Sequence, residues 1–396
     1  MQNIVVLPGD GIGPIVMQQA LRVLQAVGFK AAYTEAPIGW QYWCKKGNAL
    51  PNETLQLINK HKIALFGAIT SKPESDAQLE LDLSLQNLNL KYSSPIVGLR
   101  QHFNLDICIR PCISFAGNPL NFIRRGADGV IEEPVINAVV FRQNTECLYS
   151  GVEWTNPDTL VYNALLSHPK FVSGFGKIPK HELSISARIF SKQATEHIVR
   201  EAFKYAEHYG YKSVTLCEKP NVIRETSGLM YKIAMQIQKS EFPDIELWNT
   251  NIDAQMMWLT KNPEDYGVIV AGNMFGDIVS DAFAGLIGGL GFAASAQYNT
   301  ETGIAVFEPT HGSAPKYASY PTAIVNPIAM IEAAVLMLNY LKEHEMAARI
   351  RKAIANVISD GKVKTYDMLK MKGSEHVLQN GAASTIQITD AIISKL

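Results

Sequence analysis

The sequence predicts an α/β fold built as two lobes. Three observations carry this reading. Buried-type strands alternate with amphipathic helices near the start, the middle turns strand-rich, and a helical pattern returns near the end. A chain of 396 residues is long enough for two lobes, or for one large domain with an insertion.

The elements follow in order. "NIVVLPGDGIGP" reads as a buried strand opening into a glycine turn, and "IVMQQALRVLQAVG" as a helix stopped at Gly28. "KAAYTEAPI" is a strand, "PNETLQLINKHK" a capped helix and "IALFGAI" a further strand. "GVIEEPVINAVVFRQNTECLYSGVEW" and "KFVSGFGKIPKHELSISARIFS" carry turn residues among strand formers, and predict antiparallel pieces in a second lobe. "SKQATEHIVREAFKYAEHYG" is a long amphipathic helix, followed by the strand "YKSVTLCEK". After Gly291 the helical pattern resumes in "NPIAMIEAAVLMLNYLKEHEMAARIRKAIANVISDG".

Composition narrows the function classes. Hydrophobic residues make up 47% and charged residues 18%, which fits a soluble globular protein with a large core. The net charge of −1 argues against broad binding of nucleic acid or acidic membrane, so basic residues must gather locally to meet an anionic ligand. The five cysteines form no C-x-x-C pair, which predicts reduced thiols and no zinc site. "MQNIVVLPGDG" lacks the basic start of a signal peptide, and "AFAGLIGGLGFAASA" is too short to span a bilayer. The expected location is the cytoplasm.

"GNMFGDIVSD" raises a question of charge. Asp277 and Asp281 stand four apart, on one face of a helix expected to begin near Gly276. Capping and the helix dipole account for Asp277 but less well for Asp281, which enters the apolar run "AFAGLIGGLGF". A divalent cation is a good partner for such a pair, and Asp253 could supply a third oxygen ligand. Few carboxylates with water and an oxygen-rich substrate suit Mg²⁺ or Mn²⁺ better than zinc. Arg100, Arg110 and Arg142 would make a polycarboxylate site if the fold brought them together. Lys219 sits at a strand end, where α/β proteins place ligands, and Tyr149 lies beside a glycine turn. "FEPTHGSAPKYA" and "KVKTYDMLK" contribute two Lys/Tyr pairs, Lys316 with Tyr317 and Tyr366 with Lys370, able to meet a phosphate-bearing nucleotide. "LPGDGIGP" has G-x-G-x-G spacing, and taken alone is a strand-to-helix turn.

Together and in this order, these segments resemble the β-decarboxylating dehydrogenases: isocitrate, homoisocitrate and isopropylmalate dehydrogenases. The likeness runs from "LPGDGIGP" through "FRQNTECLYSG", "KPNVIRETSG", "NMFGDIVSDAFAGLIGGLG" and "THGSAPKYA" to "GAAST". It implies a two-lobed subunit with a large mixed sheet, unlike a Rossmann domain, and a homodimer with a shared active site. The large domain would comprise 1–105 and 288–396. The small domain would be 106–287, with a dimer clasp at about 147–185. By motif position Asp277 and Asp281 would bind the metal, with Asp253 given by the partner subunit. Arg100, Arg110 and Arg142 would hold the substrate carboxylates, with Ser94 in the same set. Lys219, also from the partner, would serve the alcohol-deprotonating base system, and Tyr149 would be the acid at the enol stage. Thr70, His311, Gly312 and Asn326 would bind the nucleotide, His311 and Asn326 at its adenine part.

Lys316, Tyr317 and Tyr366 match positions that hold the 2′-phosphate of NADP in bacterial-type isocitrate dehydrogenases, whereas Lys370 replaces an arginine. NAD is the alternative cofactor. "LFGAITSKP" and "YSSPIVGLR" look more like homoisocitrate dehydrogenases: Phe66 stands where a lysine is usual, and Ile96 where an asparagine binds the γ-carboxylate. The resemblance therefore implies NADP-dependent oxidation of isocitrate first, homoisocitrate second and isopropylmalate third.

Overall fold

The computed structural model describes residues 2–396. The strands are β1 (Gln2–Gly9), β2 (Ala31–Glu35), β3 (Ile63–Ala68), β4 (Ile107–Ile113), β5 (Arg124–Arg125), β6 (Ile131–Glu132) and β7 (Asn137–Gln143). They continue as β8 (Glu153–Thr155), β9 (Ser184–Ser186), β10 (Ser213–Glu218), β11 (Glu246–Asn251), β12 (Val268–Ala271), β13 (Ala294–Tyr298) and β14 (Ala305–Pro309). Ten of them form one sheet in the order β11-β10-β12-β7-β4-β13-β14-β3-β1-β2, while β5–β6 and β8–β9 are separate two-stranded ribbons.

The sheet is mixed. β11, β10, β12 and β7 run parallel, as do β14, β3, β1 and β2. Antiparallel pairs β7–β4, β4–β13 and β13–β14 join the two halves, which therefore point in opposite directions. This departs from the all-parallel nucleotide-binding sheet and matches the expected architecture. Helices Gly13–Val27, Ile328–Tyr340 and His344–Asp360 bury one apolar cluster against β1, β3, β13 and β14. Helices Lys192–Tyr209 and Thr226–Glu241 bury a second against β7, β10 and β12.

Helix ends follow local chemistry. Gly28 adopts a left-handed conformation (φ 93°) and closes the first helix, as its sequence position predicts. Helix Asn52–His61 has no side-chain cap and stops instead at Lys62 (φ 69°). The long helical pattern near the C-terminus is broken at Lys342 (φ 66°). The main departure lies at the start of the segment 170–191, expected to be strand-rich, which folds as helix Pro169–Phe175; helix Thr159–Leu166 precedes it, between the two strand-rich segments. Asp158 caps the earlier helix by accepting from the Val161 N–H at 3.0 Å, and Pro169 starts the later one with its φ already helical. These end signals outweigh β-branched and aromatic content. Among the described residues no helix is long and apolar enough to cross a membrane, and all five cysteines are free thiols.

One tie spans the sheet centre. His197 on helix Lys192–Tyr209 meets Asp106 Oδ2 at 2.5 Å through Nδ1 and Thr300 Oγ at 2.8 Å through Nε2. The Asp106 hydrogen bond raises the His197 pKa against partial desolvation, and Glu201 and Glu301 add to the rise. A raised folded pKa adds stability that is complete below the unfolded value of about 6.5 and is lost as pH rises through the folded value. His197→Gln should therefore lower the urea midpoint most at pH 5–6 relative to wild type. The gap should narrow above neutrality; a gap that stays constant with pH contradicts this charge pair.

Candidate active site

Strand β4, "ICIRPCI", alternates in character. Side chains point to opposite faces at successive positions, so Cys108, Arg110 and Cys112 share one face. Residues directly opposite in antiparallel strands also share a face. Arg142 lies opposite Cys108, Cys108 opposite Gln297, and Ser295 opposite Glu308. A polar stripe thus crosses the four central strands.

Two arginines of this stripe are buried, Arg110 at 8% exposure and Arg142 at 1%. A guanidinium taken out of water must find anions or acceptors. Helix Asn273–Leu286 supplies them. Arg142 donates through Nε to Asn273 Oδ1 at 2.8 Å and through Nη1 to Asp277 Oδ1. Arg110 Nη1 donates to Ser280 Oγ at 2.8 Å and Asp281 Oδ1 at 2.9 Å, and lies 3.1 Å from Asp277 Oδ1. The helix begins three residues earlier than expected, so Asp277 lies beyond its first turn and the dipole explains neither acid. The arginines are their partners within the chain.

Charge follows this geometry. Burial opposes the Arg110 charge, but Cys108, Asp277 and Asp281 hold its pKa above the usual value. Burial and then the Arg110 charge push Arg142 down to about 10. Burial raises the Asp281 carboxyl, with Arg110 acting against the shift.

Tyr149 joins the same group. The chain turns sharply around it, with φ of 72° at both Cys147 and Gly151. Its hydroxyl donates to Asp277 Oδ2 at 3.1 Å, and its ring lies 5.5 Å from the Arg142 guanidinium. Burial, then Asp277, raise its pKa, so the phenol stays protonated at neutral pH.

Arg100 reaches the stripe from helix Pro95–His102. It donates to Gln297 Oε1 at 2.6 Å and Glu308 Oε1 at 3.4 Å, while Asn144 donates to Gln297 Oε1 at 2.8 Å. Ser94 is the residue before that helix, and its hydroxyl makes no cap bond. Ile96, one turn before Arg100, packs on an apolar cluster that includes Phe66 and Leu99.

Lys219 and Asp253 are brought together. Lys219 follows β10 and donates to Asp253 Oδ1, which lowers the Asp253 pKa. Among the described residues no three His, Cys, Asp or Glu side chains come together to hold a metal ion. Within one chain, then, Asp253 does not complete a ligand set with Asp277 and Asp281.

The expected nucleotide residues gather around the loop that follows β14. Asp10, buried in the first glycine turn, accepts from the backbone N–H groups of Trp40, Gln41 and Thr70 at 2.7, 3.0 and 3.0 Å. Thr70 Oγ lies 2.6 Å from Ser313 Oγ, next to Gly312. His311 Nδ1 sits 3.0 Å from the Gly312 carbonyl, its buried Nε2 has no partner, and burial lowers its pKa. Asn326 donates to Asp367 Oδ2 at 3.0 Å. Lys316 Nζ stands 5.6 Å from the Tyr317 ring, which packs 5.6 Å from Tyr366.

Sequence reasoning missed Asp10, Gln297, Glu308 and Asn273. The signal for Gln297 and Glu308 was a polar residue inside the apolar strand-like runs "ASAQY" and "AVFEP". Asp10 stands between two glycines, whose turn signal masks its own role.

A ten-stranded mixed sheet whose central arginines are faced by helix-borne aspartates defines an α/β protein of a particular architecture. The chain belongs to the isocitrate/isopropylmalate dehydrogenase family, whose model matches residues 3–392. Protein DlpA of Legionella pneumophila is 36% identical over 393 residues, covering 99% of this chain and 58% of its own length. The 3-isopropylmalate dehydrogenase of Archaeoglobus fulgidus is 35% identical over 368 residues, covering 93% and 94%. The crystal structure of isocitrate dehydrogenase from Methylococcus capsulatus matches with a TM-score of 0.81 and 34% identity, covering 100% of this chain and 99% of that one.

Close packing holds the stripe in place. A Cβ at Gly276 would sit 2.8 Å from Arg142 Cβ, so the glycine admits the helix to the sheet. Gly276→Ala should destabilise the fold by about 1–3 kcal/mol, read as a lower urea midpoint. An unchanged midpoint would show that the contact can relax.

Proposed function

We propose that the chain catalyses NADP-dependent oxidative decarboxylation of isocitrate to 2-oxoglutarate and CO₂. The observation that carries the reading is the convergence of Arg110, Arg142, Asp277, Asp281 and Tyr149. The arginines would bind the carboxylates of the substrate, bidentately where geometry allows, and fix its orientation. Asp277 and Asp281 fit Mg²⁺ or Mn²⁺, being paired oxygen donors open to solvent at 29% and 56% side-chain exposure. When bound, such a cation supplies Lewis acidity at the alcohol and enolate oxygens. Lys219 would accept the alcohol proton, and Tyr149, held protonated, would deliver a proton to the enol carbon after CO₂ leaves.

Lys316 is an exposed cation beside two tyrosines, which suits a 2′-phosphate. A second reading, homoisocitrate as substrate, is favoured by Ile96, an apolar side chain on the same helix face as Arg100. Isopropylmalate is the third. The deciding assay crosses the three substrates with NAD and NADP in Mn²⁺ or Mg²⁺ and follows reduced nucleotide. Isocitrate with NADP should turn over fastest, and Lys316→Asp should cut the preference for NADP by about 10- to 100-fold. Faster turnover of homoisocitrate would replace the substrate assignment, and an unmoved preference the nucleotide assignment.

The proposal includes a homodimer sharing its active sites. Within one chain Asp253 forms no ligand cluster with Asp277 and Asp281 but pairs with Lys219, and Leu160, Val172 and Phe175 of the expected clasp are exposed at 83%, 49% and 52%. Lys219→Ala and Asp277→Ala should each be inactive alone. Mixed, unfolded and refolded together, they should regain about a quarter of wild-type activity, because a hybrid dimer has one intact site. No regain would place both residues in one chain's site.

A further inference from the structure

Helix Asn273–Leu286, the turn around Tyr149 and the end of β10 belong to different parts of the chain. One buried ion pair touches all three. Glu218, fully buried, is the last residue of β10 and the neighbour of Lys219. Its Oε1 accepts from the Gly272 N–H at 2.9 Å, at the start of the helix that bears Asp277 and Asp281. Its Oε2 accepts from Arg188 Nη2 at 2.8 Å and from Ser227 Oγ at 2.5 Å.

Arg188 extends the link. Its Nε donates to Cys147 Sγ at 3.3 Å, two residues before Tyr149, and its Nη1 donates to Thr226 Oγ at 2.9 Å and Ser227 Oγ at 2.8 Å. Its guanidinium lies 4.6 Å from the Phe190 ring and 4.9 Å from the Phe275 ring, the latter on the aspartate-bearing helix. A Cβ at Gly272 would meet Phe190 Cζ at 2.5 Å and Glu218 Oε1 at 2.6 Å, so the helix start is fitted between them. The Cys147 N–H also donates to the Ile189 carbonyl at 2.9 Å.

From this geometry we infer that Arg188 and Glu218 are positioning residues that set the placement of Tyr149, Lys219 and the Asp277/Asp281 helix as one unit. The inference deepens the dehydrogenase reading and rests on it for its kinetic half. A planar guanidinium suits such a junction, because it offers donors in several directions and stacks on two aromatic faces, which lysine cannot do. Each segment alone has a poor conformational anchor. Cys147 is a non-glycine residue at φ 72°, Lys219 leads into a loop, and Gly272 opens a helix with no side-chain cap.

The test uses the intact chain carrying Arg188→Lys, with Glu218→Gln as a second, isosteric variant should the first fail to fold. Amide hydrogen exchange is read on peptides covering 146–151, 219–225 and 272–277. Turnover is read on whichever substrate the wild type accepts. The expected result is faster exchange in all three segments together, by at least about 10-fold, with helix Ile328–Tyr340 unchanged. With it, kcat should fall by about 100-fold while KM for the substrate moves less than about 3-fold. Faster exchange confined to one segment, or a wild-type kcat, overturns the inference. If the wild type turns over none of the substrates, the dehydrogenase reading fails, and joint or separate exchange of the three segments still decides the positioning unit.

Discussion

The structure turns on the burial of two guanidinium groups in the middle of a ten-stranded sheet. Arg110 and Arg142 project from adjacent antiparallel strands onto one face, where each disfavours burial of the other. Within the sheet, Glu308 on β14 attracts both from a distance, but among the described residues no sheet carboxylate reaches them in an ion pair. The helix after β12 does, with Asp277 and Asp281 one turn apart and Asn273 and Gly276 before them. Taking Asp277 away would leave the buried Arg142 without its counter-ion, a loss of about 3–5 kcal/mol in comparable pairs. The close approach at Gly276 and the polar face of an otherwise apolar helix both follow from that need.

The same pairing shapes how ligands would be received. Within one chain the cations and anions of the stripe are partnered: Arg142 with Asp277, Arg110 with both aspartates, and Arg100 with Glu308 and Gln297. A polycarboxylate would not enter an empty basic pocket. It would take arginine contacts now made by carboxylates of the protein, while a cation at Asp277 and Asp281 would offset the charge released. Each exchange is costly alone, because it strands one member of a pair; together they conserve pairing. On the proposed function, this would be a physical reason for metal and substrate to be received by one set of side chains.

Much of the site was legible as chemistry before it was legible as geometry. The i, i+4 spacing put Asp277 and Asp281 on one helix face, and Arg110 and Arg142 were marked as a carboxylate site on condition that the fold brought them together. The sequence also suggested why the acids needed partners and named a divalent cation; it did not show that arginines of the same chain pair with them. That pairing could not be read, because it depends on the lateral order of β4, β7 and β12, which sequence periodicity does not encode. Helix Pro169–Phe175 was missed for a local reason: its start signal is two residues, the His168 cap and Pro169 at the first helical position, set against strand-like composition. Arg188 gave no signal either, since its partners lie 30 to 41 residues away in the chain.

Two buried carboxylates show how the rest is kept rigid. Asp10 stands just past the end of β1 and collects backbone N–H groups from Trp40, Gln41 and Thr70. Glu218 closes β10 and collects Gly272, Arg188 and Ser227. They lie in the two oppositely directed halves of the sheet, each at the carboxyl end of a parallel strand where loops diverge. A carboxylate can accept several donors at once, so one side chain can fix loops that share no secondary structure. The residues expected to do chemistry are neighbours of these anchors: Thr70 is held directly by Asp10, and Lys219 follows Glu218 in sequence. A loop carrying a reactive group must be exposed to its ligand and so has little apolar surface to bury. Charged hydrogen bonds at its base supply the order that packing at its tip cannot.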